Sequence, residues 1–166
     1  MDLGKTILKE HSKANCLKIV QWVGNNEKRF DRLLHVFYEG DYRLTQRAAW
    51  PISVCVEKNP GLVEGKLPAL IKELEKEGKH DAVKRNILRV INHVVIPKKL
   101  EGVIMQRCFE FLSSNSEPVG IKAFSLHILF KLSKRYPEIV PEIKLLINDQ
   151  VMQQTAAFKS AAKKFY

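Results

Sequence analysis

Residues 41–63 read DYRLTQRAAWPISVCVEKNPGLV, and their pattern returns twice, as DAVKRNILRVINHVVIPKKLEGVI over 81–104 and EPVGIKAFSLHILFKLSKRYPEIV over 117–140. Each stretch runs from an acid through a basic residue and an apolar helical pattern to a proline, then into a second apolar segment. The basic marks Arg47, Arg85 and Lys122 stand 38 and 37 residues apart, and Pro60, Pro97 and Pro137 stand 37 and 40 apart. A self-similar unit of about 37 residues built from two helices signals an α-solenoid, in which each hairpin buries its apolar face only by stacking on neighbours.

The helical period continues on both sides. Phe30, Leu33, Leu34 and Phe37 fall at i, i+3, i+4 and i+7, and so do Leu67, Leu70, Ile71 and Leu74. Ile87, Ile91, Val94 and Val95 make a further stripe, followed by Ile104, Cys108, Phe111 and Leu112. Ile121, Phe124, Ile128 and Leu132, then Ile139, Ile143, Leu146 and Ile147, complete the set. Such spacing places each group on one helical face. The expected helices are 1–24 (with His11 as a candidate break), 27–38, 42–57, 61–77, 80–95, 99–113, 117–135, 137–147 and 151–164. Asn59-Pro60 reads as a helix start, with Asn as cap and Pro at the first position. Gly24, Gly40 and Gly78 stand where a helix end asks for a left-handed residue. Asp41 and Asp81 open their helices as caps.

These repeats resemble the HEAT family. That family places an Asp six residues before an Arg, as Asp41 and Arg47 stand here, and it often carries a proline inside the first helix, as Pro51 does after Trp50. Asp81 with Arg85, and Glu117 with Lys122, keep the order at a shorter spacing. The resemblance covers nearly the whole chain. It implies one all-α domain over 1–166, a right-handed α-α superhelix of about four helical hairpins closed by a C-terminal capping helix. It also implies that second helices line the concave face. The inferred first-helix segments (1–24, 41–58, 79–95, 117–135, 150–166) hold 18 basic and 6 acidic residues, whereas the second-helix segments hold 10 basic and 12 acidic. A nearly neutral, mixed groove suits a protein or peptide better than a phosphate backbone, which asks for lysines and arginines along its track. Arg29, Arg32, Lys66 and Arg107 lie outside the apolar stripes of the second helices and are the expected partner-binding residues.

Composition agrees with a helical module. The 166 residues are 45% hydrophobic and 28% charged, a globular balance, and three Thr, eight Gly and seven Pro are too few for a many-stranded fold. The formal charge of +10 keeps nucleic acid as an alternative partner. Cys16, Cys55 and Cys108 are odd in number, widely spaced and embedded in apolar patterns, so buried thiols are expected, not disulfides. No apolar run approaches a membrane span, and Met1 to Glu10 lacks a signal core, which makes cytoplasm the expected location.

Catalytic patterns are missing. The five histidines form no HExxH, and there is no P-loop, dinucleotide-binding turn or nucleophile elbow. The Ser113 to Pro118 run only faintly resembles the mobile serine loop of the fumarase and adenylosuccinate lyase superfamily, so such an activity has no support. HEAT-like alkylpurine DNA glycosylases remain the enzyme alternative, with Trp22, Trp50 and Asp41 as imaginable site residues. The helical spacing of Ile19 and Trp22 favours core packing for that indole. The expectation is a non-catalytic module with no cofactor or metal, binding a protein or peptide as a monomer or weak oligomer.

Overall fold

The 41–63 segment folds as a helix that stops just before its proline. Asp41 accepts the Leu44 N–H at 2.9 Å, which caps helix α4 (Tyr42–Lys58). Asn59 closes that helix and its side chain donates to Asn25 Oδ1 at 3.1 Å. Asn59 also stands at the N-cap of the next segment with Pro60 first, as expected, but its side chain makes no capping bond there and the segment is a 3-10 turn. Pro60 opens a 3-10 turn (Pro60–Val63), Gly65 follows at φ +74°, and α5 begins only at Leu67 (Leu67–Glu75). The left-handed glycine breaks the helical run expected from 61.

The computed structural model describes residues 1–166, the side chain of Val151 excepted. Among the described residues there are ten α-helices, four short 3-10 turns and no strand. They fall into two compact units, Met1–Val94 and Val95–Tyr166.

The first unit holds α1 (Leu3–Lys9), α2 (Lys13–Val23), α3 (Glu27–Glu39), α4, α5 and α6 (Asp81–His93). The break at His11 is real: Ser12 caps α2 by accepting from Asn15 N, and Asn15 Nδ2 donates to the Thr6 and Glu10 carbonyls. A single buried amide thus fixes the corner between α1 and α2. Helix α4 is central and packs on α1, α2, α3 and α6. Arg47 donates to the Leu8 carbonyl at 2.8 Å, in the last turn of α1, where helix carbonyls lack partners. Ser53, fully buried, shares its one hydroxyl hydrogen between the Trp50 carbonyl at 2.8 Å and Asn86 Oδ1 at 2.9 Å, while Asn86 Nδ2 donates to Ala82 O. This pair ties α4 to α6. Ser53→Ala leaves Asn86 Oδ1 without a donor and is expected to cost about 1–2 kcal/mol in urea unfolding. An unchanged midpoint would show that the pair contributes nothing.

Two boundaries of α6 differ from expectation. Its cap is His80, whose Nδ1 accepts from Ala82 N at 3.0 Å, and Asp81 is instead the first helical residue, paired with Lys84. The helix stops at His93, and Val95 is 90% exposed instead of joining the Ile87–Ile91 stripe. The backbone is already extended at Val94, three residues ahead of Pro97, and the proline keeps Ile96 out of the helical region as well. Arg85 is exposed, so this repeat mark makes no buried contact.

The second unit holds α7 (Lys98–Ser113), α8 (Val119–Ser133), α9 (Val140–Asn148) and α10 (Ala156–Ala162), with 3-10 turns at Pro137–Ile139, Val151–Gln153 and Lys163–Phe165. Helix α8 is apolar nearly all round and is packed by both α7 and α10. Lys122 on α8 is only 4% exposed; its ammonium donates to Gln150 Oε1, and Gln150 Nε2 donates to the Leu112 and Leu146 carbonyls. Burial lowers the Lys122 pKa, opposed by Glu117. Glu101 is buried as well and accepts from Arg135 and from the Tyr136 hydroxyl. The three cysteines are free and buried, as their apolar surroundings in the sequence imply.

Candidate functional site

Helix α2 ends at Trp22-Val23, and Gly24 at φ +51° turns the chain. Asn26 caps α3 by accepting from Arg29 N at 3.0 Å. Phe30, Leu33, Leu34 and Phe37 then face the core, which leaves Arg29 and Arg32 together on the outer side, one helical turn apart. Both guanidiniums lie over the Trp22 ring, at 5.4 Å and 5.3 Å from its centroid. Arg29 Nη1 also donates to the Trp22 carbonyl at 2.7 Å. Trp22 is therefore half-buried, not a core residue, because the short turn at Gly24 folds α3's first turns back over the indole. Cation–π contact at such an exposed site favours these positions by about 0.5–1 kcal/mol each.

Lys66 lies against the same helix, its ammonium 3.4 Å from Asp31. Arg29 and Arg32 are thus neighbours over Trp22, whereas Lys66 is tied to α3 through Asp31, which stands on another side of that helix from Arg29. Arg107 belongs to the second unit, where its guanidinium is bound to Glu110 at 2.7 Å. The one sequence signal that joins Trp22 to Arg29 is their spacing of seven across an Asn-containing turn.

Trp50 stands apart from Trp22. It meets His11 edge-on at 5.6 Å above a cleft lined by Glu10, Asn15 and Arg47, with room for about one water molecule. The Asp41 carboxylate is engaged in capping α4. His93 lies 4.0 Å from Glu57, which also binds Arg89. Among the described residues no group of three His, Cys, Asp or Glu is placed to hold a metal ion. Among the described residues no helix is long and apolar enough to cross a membrane.

Paired helices recurring along the chain, with charged and aromatic side chains gathered on an outer helix face, define an α-helical repeat protein. The chain belongs to the HEAT repeat family: the HEAT repeat domain matches it over residues 3–165. No curated protein and no solved structure matches it.

Proposed function

We propose that the protein is a non-catalytic interaction module that binds a protein or peptide partner through the solvent-exposed side of α3, one of the second helices expected to line the concave face, with Arg29 and Arg32 as neighbouring contacts and Lys66 beside Asp31 as a further one. The observation that carries this reading is the pair of guanidiniums held on Trp22. Arginine and tryptophan are the side chains most enriched where interfaces concentrate their energy. A guanidinium whose position is favoured in advance loses less freedom when a partner carboxylate arrives. Asp31 beside Lys66 makes the face mixed in charge, which suits a partner segment carrying acidic groups and at least one base. Arg107 enters as a separate contributor from the second unit.

The test is photo-crosslinking from cell lysate with a benzophenone side chain at the exposed Lys28, comparing the native face with Arg32→Ala and Arg107→Ala. Arg32→Ala is expected to reduce the crosslinked partner roughly tenfold, as loss of a hot-spot side chain does, with the melting temperature unchanged. Arg107→Ala is expected to have a smaller effect, since Glu110 already holds that side chain. Equal crosslinking by Arg32→Ala would remove α3 as the binding face.

A further inference from the structure

The second unit carries a different kind of surface. Between residues 118 and 137, and again between 150 and 166, the chain has no Asp or Glu. Packing of α10 on α8 brings these two stretches together. Phe130 on α8 is half-exposed. The Lys134 ammonium lies 5.1 Å from its ring centroid and that of Lys164 lies 5.5 Å from it, with Phe165 edge-on at 5.7 Å. One turn back, His127 meets Phe124 edge-on at 6.4 Å. Burial, and then Lys164, hold the His127 pKa below its usual value, and burial also lowers that of Lys131. Lys134 and Lys164 form no ion pair with a carboxylate among the described residues. Glu101 on the neighbouring α7 is buried and held by Arg135 and Tyr136.

We infer that this α8–C-terminal surface, built on Phe124, His127, Phe130, Lys134 and Lys164, binds single-stranded nucleic acid. The neighbouring ammonium groups of Lys134 and Lys164 are relieved by a polyanion, which also releases the ions condensed on its own phosphates. Half-exposed aromatic rings among the cations supply faces on which bases stack without regard to sequence. Lysines are point charges suited to phosphate. A polypeptide would bring backbone amides that this face, made of phenyl rings and ammonium groups, offers few groups to satisfy. The surface is built wholly from residues of the second unit and shares none with the α3 face, so the inference does not rest on the proposed interaction role.

The experiment is fluorescence anisotropy with a labelled oligothymidylate of about 12 nucleotides, over roughly 50–300 mM salt. The full chain is compared with the double variant Lys134→Gln/Lys164→Gln and with Arg32→Ala. Binding is expected with a log–log salt slope of about −2 to −3, as three or four neutralised phosphates would give. The double variant should bind roughly tenfold more weakly with unchanged circular dichroism and melting, and Arg32→Ala should bind as the native chain does. Bound oligonucleotide should raise the His127 pKa in a proton NMR titration. A poly-glutamate of matched charge, or vesicles rich in anionic lipid, that bound as tightly as the oligonucleotide would overturn the assignment. So would unchanged affinity in the double variant, or no binding at low salt.

Discussion

Phe158→Ala is expected to destabilise the second unit by about 3–5 kcal/mol, the cost of emptying a buried aromatic site. Helix α10 has only seven residues, too few to persist on its own in water. It is held by docking: Phe158 and Ala161 are fully buried, Ala162 nearly so, and Phe165 follows in the closing turn. The alanines let the α10 backbone come close to α8, and the phenyl ring fills the space between them. Helix α8 needs this cover because its apolar residues are spread around its whole circumference. Hydrogen exchange should show the α8 amides losing protection in Phe158→Ala, while the exposed Lys159→Ala leaves them unchanged. Protected α8 amides in the phenylalanine variant would mean that α10 is not what covers that helix.

Gly40→Ala carries the second large effect, about 3 kcal/mol or more, by overpacking. Gly40 sits between α3 and α4 at φ −71°, so it is not the left-handed terminator its place in the sequence suggests. Its hydrogen atoms matter for space instead. A Cβ there would lie 2.4 Å from the Val36 carbonyl oxygen and 2.7 Å from Leu44 Cβ. The first is backbone and cannot swing away. Thr45, nearby and buried, donates its hydroxyl within reach of both the Phe37 and Gly40 carbonyls, which fixes the turn further. Urea unfolding of Gly40→Ala should show a clearly lowered midpoint, and Gly61→Ala, at an exposed turn, only a small shift. A native-like midpoint for Gly40→Ala would mean that α3 and α4 can separate by several tenths of an ångström without loss.

The positions that decided helix and core were legible because side-chain burial follows the 3.6-residue period. Phe30, Leu33, Leu34 and Phe37, and Leu67, Leu70, Ile71 and Leu74, are all buried. The family was legible in the spacing of Asp41, Arg47 and Pro51. What escaped were decisions taken between elements. His80 caps α6 because its ring nitrogen reaches Ala82, and no composition rule favours histidine there over the adjacent aspartate. Pro60 led to a 3-10 turn instead of a helix because Gly65 takes positive φ a few residues later. Lys122 was legible as a repeat mark but not as a buried ammonium, since Gln150, 28 residues away, is what makes its burial tolerable. At the candidate site, Arg29 and Arg32 could be placed outside the apolar stripe from sequence. Their clasp of Trp22 depends on the angle of the α2–α3 turn, which side-chain periodicity does not encode.

The cysteines have a consequence for how the protein can be watched unfolding. Desolvation lifts the Cys16 thiol to about 11 and those of Cys55 and Cys108 to about 12, so almost no thiolate exists at neutral pH while the helices are closed. Alkylating reagents then act only on chains that have opened, and the rate of modification measures opening itself. Cys16 and Cys55 lie in the first unit and Cys108 in the second. The native chain therefore carries its own chemical timers, two for one unit and one for the other, and resolving their rates by mass spectrometry tells whether the repeats come apart together or in turn.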